Sequence, residues 1–546
     1  MLSVRQKSAF ALIFMASLFL GSNGETLNGV AGAGYRIAGT VVSSIDGHPL
    51  ARARVVLADV KNSRKPLSVL SSEDGSFVFP GLPAAKYSLQ GAKRGYLTQS
   101  YDQHEIFSTA IVTGAGVDTE HLILRLLPDA YIVGKILDEN GDPVRHANVT
   151  LYRVAHDEGT SQVQPNRSDT TDDLGAYELG PVLPGTYFVS VRAEPWYAVR
   201  SPASTSGDGN ALPRQIDSGL DVAYPLTYYG DTGDPHSATP IQVRGGDRMQ
   251  ADFHLAPVPS LHVLIRTPQN GYPQIRESGL GGETHGVPVN MERVDTGLWD
   301  VSGLPQGKYA LSISGPGAGE TTVSALGAIT EGQEIDATAA EPLGSMNISV
   351  QIPGEGRPTG PVSVGLRVPH GILRYLDNVD SKGVAHLKSV AAGRYEVVAW
   401  DNRGRYSVSG MAVTGGESAD EEIELKAGAS AEASVTLVRG NATVEGIVKQ
   451  DGKAAAGAMV VLVPANATAH LDLFRRDQTD LDGTFAVNAV VPGEYTLVAI
   501  ENAWDLEWSH PDVLAPYLRQ GRKINVAPGT NGSFKVEEPV AVQQTQ

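Results

Sequence analysis

The residues best suited to binding chemistry are aromatic. Trp196 is followed by Tyr197; Tyr228 and Tyr229 stand beside Gly230, Asp231 and Asp234; Trp504, Trp508 and Tyr517 share one segment near the C-terminus. A sugar ring binds by laying an apolar C–H face on an aromatic ring while nearby polar groups take its hydroxyls, and proteins place such groups on loops. Trp196, Tyr228, Tyr229, Trp504, Trp508 and Tyr517 are therefore the candidate ligand-binding residues. The competing reading is that these rings close the ends of packed units. Trp196 and Trp504 each follow a repeated tyrosine (Tyr187 and Tyr495) by nine residues, as Tyr96 follows Tyr87. That shared offset favours packing for the two tryptophans; Tyr228 and Tyr229 stay open between the readings.

Little else is arranged for chemistry. Asp477, Asp480, Asp482 and Gly483 resemble part of a calcium loop. Aligning Gly483 with the glycine of such a loop, however, puts Gln478 first and Ala489 where glutamate is needed. A tight Asp-Gly turn explains the same residues. None of the 13 histidines has Glu three residues on, and no Gly-x-Ser-x-Gly elbow or phosphate-binding glycine loop occurs. With no cysteine, disulfides, thiolate nucleophiles and Cys-held metals are excluded. The expectation is no catalytic site, no metal and no cofactor.

The elements that must position these residues come from a repeat. Five times a polar turn closes on Gly, an apolar or aromatic residue follows, a second turn intervenes, and Tyr opens the next strand. The copies are Asp74-Gly75-Ser76-Phe77 to Tyr87, Asp173-Leu174-Gly175-Ala176-Tyr177 to Tyr187, Asp295-Thr296-Gly297-Leu298-Trp299 to Tyr309, Asp380-Ser381-Lys382-Gly383 to Tyr395, and Asp482-Gly483-Thr484-Phe485 to Tyr495. Gly and Tyr stand 12 residues apart in every copy. Gly supplies positive φ in the turn, and the strands alternate apolar and polar. Each block reads as a hairpin-like pair of strands, with the Tyr ring at the core edge and its hydroxyl on a polar partner.

A second block precedes the first in three copies. Gly39-Thr40-Val41-Val42 leads through Asp46-Gly47 to Val55-Val56-Leu57. Val133-Gly134-Lys135-Ile136 leads through Asn140-Gly141 to Val149-Thr150-Leu151. Val444-Glu445-Gly446-Ile447 leads through Asp451-Gly452 to Val460-Val461-Leu462. Asn-Gly and Asp-Gly between alternating runs signal hairpins. About seven short strands per repeat point to an antiparallel sandwich, and no window keeps a 3.6-residue apolar period.

The chain has 61 Gly and 33 Pro in 546 residues, which suits many turns and short strands. Its net charge of -18 disfavours phosphate-rich partners, so neither nucleic acid nor an anionic lipid surface is expected. Arg5 and Lys7 precede an apolar run over residues 9–20, and Ser22-Asn23-Gly24 offers small residues for cleavage. Residues 1–24 read as a signal peptide, and no later stretch is long enough to span a membrane.

The opening Gly-x-Val strand, the stretch from Pro49 through Ala51 and Ala53 to Leu57, and the Asp-x-x-Gly to Pro-Gly-x-Tyr block together resemble the carboxypeptidase regulatory-like domain. That family is a transthyretin-like Greek-key sandwich, grouped by fold with carbohydrate-binding modules. The resemblance covers repeats one, two and five fully and repeats three and four mainly through the second block. It implies an accessory domain rather than a catalyst.

The expected architecture is all-β, a tandem array of Greek-key antiparallel β-sandwich domains of immunoglobulin-like or prealbumin-like type. The units are residues 35–128, 129–257 with a long loop, 258–343, 344–439 and 440–537, drawn out as an elongated rod. The expected role is a secreted or periplasmic, non-enzymatic binding or adhesion protein of the cell envelope. Its partner is a polysaccharide or an envelope protein; the alternative is a structural spacer or assembly module.

Overall fold

The computed structural model describes residues 34–545, apart from 157–158, 200–218, 269–270, 283, 316–317, 327–328, 340, 355, 357, 359, 370–372, 402–403, 420–421, 469–470, 528–529 and 531. The expected signal peptide, residues 1–24, lies outside the described residues. About 56% of the chain is strand and 4% helix, so the fold is all-β.

One strand plan recurs five times. The first strand of each repeat pairs antiparallel with the fourth and parallel with a closing strand. In the first repeat Tyr35–Ser43 lies between Ser76–Leu82 and Leu122–Leu126. Ala130–Leu137, Leu261–Arg266, Gly344–Gln351 and Ala442–Gln450 take the same place in the others. The other sheet forms around the second strand, which pairs antiparallel with the third and the fifth; Arg54–Asp59 lies between Leu67–Leu70 and Lys86–Ala92. Alternation then drives packing: Val55 and Leu57 face Val41 and Phe77 in one buried cluster, while Arg54 points to solvent.

Two expectations are corrected here. Neither block is a hairpin. Ser76–Leu82 and Lys86–Ala92 belong to different sheets, as do Tyr35–Ser43 and Arg54–Asp59. Each turn carries the chain across the core, because both strands bury a face between the sheets. Asp46-Gly47 closes only the local bridge of Val42 with Pro49. The antiparallel pattern also admits parallel pairing in every repeat, where a closing strand returns beside the first.

The repeated Gly and Tyr do the work their types suggest. Gly75, Gly175, Gly297, Gly383 and Gly483 all have φ between 71° and 86°. At Gly175 a Cβ would also sit 2.5 Å from the Ile136 carbonyl oxygen, so the strand approach needs glycine twice over. Each Tyr hydroxyl donates to the carbonyl four residues earlier: Tyr87 to Pro83, Tyr187 to Leu183, Tyr309 to Pro305, Tyr395 to Ala391 and Tyr495 to Val491, at 2.6 to 3.1 Å. The rings are buried, and the bond satisfies the one polar atom each carries.

The chain is not the extended rod that tandem order suggests. The first repeat touches the last. Leu481 N–H donates to the Ala110 carbonyl at 3.0 Å, Ala110 N–H donates to Asp480 at 3.0 Å, and Lys86 pairs with Asp480. Among the described residues no helix is long and apolar enough to cross a membrane.

Candidate functional site

Burial separates the six aromatic candidates. Tyr228 is 0% exposed, packed with Leu226, Ala238, Phe188 and Leu280. Tyr517 is 2% and Trp508 8% exposed, both in the core that the helix Pro511–Leu518 closes over the strand Gly493–Glu501. These three rings cannot stack on a ligand, because protein atoms already cover them; as binding residues they are corrected. Tyr229 is half-buried, set edge-on to Phe253 at 6.0 Å. Trp504 is half-buried too, and its face is taken by His104, stacked at 4.7 Å and 6°.

Trp196 differs, being 86% exposed. It follows the strand Gly185–Arg192 and sits in a turn after Pro195, whose carbonyl accepts Ala198 N–H at 3.1 Å. Tyr197 braces it edge-on, with ring centroids 5.8 Å apart at 85°. The Tyr197 hydroxyl donates to Glu139, and the Tyr224 hydroxyl donates to the other oxygen of the same carboxylate at 3.0 Å. Burial and the Glu139 charge push the Tyr197 phenol up to about 12 and raise that of Tyr224 as well, so both remain donors at neutral pH. The shared offset of Trp196 and Trp504 thus ends in two environments: one indole faces solvent, the other faces a neighbouring repeat.

A shallow groove, open to solvent, adjoins this platform through Tyr224. Arg192, Glu194, Glu277, Pro288 and Pro305 line it, so the second and third repeats share its walls. Arg192 pairs with Glu277 at 3.2 Å; burial raises the Glu277 pKa and Arg192 opposes the rise. An exposed indole flanked by oriented hydroxyls and carboxylates can hold a ring by its C–H face and accept its hydroxyl protons.

The residues of the suspected calcium loop have other work. Asp482 accepts Thr484 N–H at 3.1 Å, Asp477 accepts Ala486 N–H at 2.7 Å, and Asp480 holds Lys86 and Ala110 of the first repeat. His262 lies 2.6 Å from Asp221, but at 1% and 7% side-chain exposure neither meets a substrate.

Sequence reasoning missed two features. Ser71, Thr171 and Thr479 clamp the second strand in repeats one, two and five. Each accepts a backbone N–H (Ala53, Ala147, Ala458) and donates to a carbonyl (Leu50, Val144, Ala455). Their signal was a hydroxyl residue just before the repeated Asp turn. Glu139 had no signal beyond its turn.

Residues 36–119 and 131–256 match the carboxypeptidase regulatory-like domain, and residues 442–515 match the second beta sandwich domain of the BOS complex subunit NOMO1-like family. No curated protein matches the chain. Among solved structures, the Bacillus anthracis TIE protein is 13% identical over 74% of this chain and 72% of its own, with a TM-score of 0.17. GBS52, the minor pilin of Streptococcus agalactiae, is 11% identical over 41% and 97%, with a TM-score of 0.20. BcpA, the major pilin subunit of Bacillus cereus, is 8% identical over 74% and 99%, with a TM-score of 0.14. TM-scores this low carry no functional argument.

Proposed function

We propose, for a chain that carries two carboxypeptidase regulatory-like domains, a non-enzymatic binding or adhesion role outside the cytoplasm, with carbohydrate as the ligand. The observation that carries this reading is Trp196, almost fully exposed yet held by Tyr197 and, through it, by Glu139. An exposed indole gains little for folding, and ordering one is worthwhile where a ligand covers it. The basic and apolar N-terminal pattern supports export to the periplasm, the envelope or the medium.

The test is a polysaccharide pull-down and glycan array with the chain from Glu25 onward beside Trp196→Ala. Binding that disappears in the variant at unchanged Tm supports the reading. Binding that survives, or no binding at all, sinks it. A spacer or assembly role is the second reading, and the contact of the first repeat with the last favours it, since that contact builds a braced scaffold.

A further inference from the structure

Each repeat has a third strand that pairs on one side with the second and lies at the edge of its sheet. Such an edge presents unpaired backbone donors and acceptors. In two repeats another part of the molecule covers it. Over Gln162–Thr170 lies Gly281 of the third repeat, so close that a Cβ there would be 2.1 Å from the Val163 carbonyl oxygen. Over Arg475–Gln478 lies the first repeat: Gln478 donates to the Asp102 carbonyl at 2.6 Å and Arg476 pairs with Glu105. This edge is thus a contact surface that the fold uses repeatedly.

In the first repeat the same edge, Leu67–Leu70, is free. It pairs only with Arg54–Asp59, and Leu67 and Leu70 are 49% and 59% exposed. Beside it Val60 is 55% exposed, and Lys61, Arg64 and Lys65 are all exposed with no ion-pair partner among the described residues. Three unpaired cations at one edge stand out in a chain of net charge -18. In the fourth repeat, Leu373–Asn378 also exposes two leucines, but its described residues carry a single cation, Arg374.

We propose that Leu67–Leu70 takes an acidic, extended segment of a partner protein by strand addition. The backbone edge supplies the ladder, Leu67 and Leu70 meet apolar side chains on its two opposite faces, and Lys61, Arg64 and Lys65 select carboxylates. The same cations repel a second copy presenting the same edge, so they guard the strand against self-pairing while admitting an acidic one.

The experiment uses the chain from Glu25 onward and a fluorescein-labelled peptide alternating Glu with Val, read by anisotropy. Two control peptides replace Glu by Lys or N-methylate alternate amides. Expected is binding of the Glu–Val peptide alone, weakened about tenfold by the triple variant Lys61→Glu/Arg64→Glu/Lys65→Glu, since exposed ion pairs are individually weak and act here together. The three residues are exposed, so Tm is expected to hold. Trp196→Ala leaves this binding unchanged, which separates it from the sugar site. Equal binding of either control peptide, or no binding, overturns the proposal. So does self-association in sedimentation velocity that the triple variant abolishes, which would make a second copy the occupant.

Discussion

The imidazole of His104 lies flat on the indole of Trp504, centroids 4.7 Å apart and planes 6° from parallel, although one belongs to the first repeat and the other to the last. Around this stack Arg476 faces Trp508 at 4.5 Å, Phe107 at 5.1 Å and Trp504 at 5.7 Å, while pairing with Glu105. The His104 ring nitrogen also meets Gln478 at 3.2 Å. Aromatic stacking, cation–π contact and a mostly buried ion pair thus meet at one junction.

Arg476→Ala is expected to release this junction. The substitution leaves Glu105 without its partner and removes a cation from three aromatic faces. Breaking a largely buried pair costs about 3 kcal/mol. The check is chemical denaturation with small-angle scattering: a larger radius of gyration with the five cores intact is the expected result. Unchanged scattering would mean that other contacts hold the repeats together.

Stability is expected to carry an acid-side contribution from Asp477. Burial raises its pKa to about 6, opposed by the backbone bonds it accepts. The folded state then binds the proton more tightly than the unfolded chain. The stabilisation is full below the unfolded pKa near 3.8 and is lost as pH rises through 6. Asp477→Asn keeps an acceptor for Ala486 N–H without the charge. Its Tm relative to the parent should rise from about pH 4 to pH 6 and level off above, and a pH-independent difference would contradict the assignment.

Tyr187→Phe is expected to cost about 1 kcal/mol, the net worth of a hydrogen bond, with the Leu183 carbonyl left without its donor. Tyr495→Phe should cost a similar amount, since its hydroxyl meets Val491 in the same way. Urea midpoints at unchanged m test both. Costs near zero would show that water replaces the bond.

Gly175→Ala and Gly141→Ala form a matched pair. Both glycines have positive φ, 71° and 85°. At Gly141 nothing lies near an added Cβ, so the cost is the conformational one, about 1 kcal/mol. At Gly175 the Ile136 carbonyl oxygen stands 2.5 Å away, so a further penalty applies. Equal destabilisation in urea would remove the steric part of the argument.

Legibility in the sequence followed the range of the forces. The Gly–Tyr spacing predicted the turns, the alternating strands and the buried Tyr hydroxyl bond, because all three depend on neighbours a few residues away. The same pattern did not tell a hairpin from a crossing between sheets: Ser76–Leu82 and Lys86–Ala92 need the same turn and the same alternation in either case. Which strand pairs with which depends on partners distant in sequence.

Aromatic residue type marked six candidates, but burial decided among them. Tyr228 and Trp508 are covered, and Trp504 is capped by His104, while Trp196 alone of the tryptophans in this set faces solvent. A ring's exposure depends on what the rest of the chain lays over it, and local spacing carries no record of that. The five-fold repeat, the all-β class and the absence of cysteine chemistry were therefore properties of the sequence itself. The contact of first and last repeats, the Tyr197–Glu139–Tyr224 bracing and the free edge at Leu67–Leu70 arose only when packing set distant residues side by side.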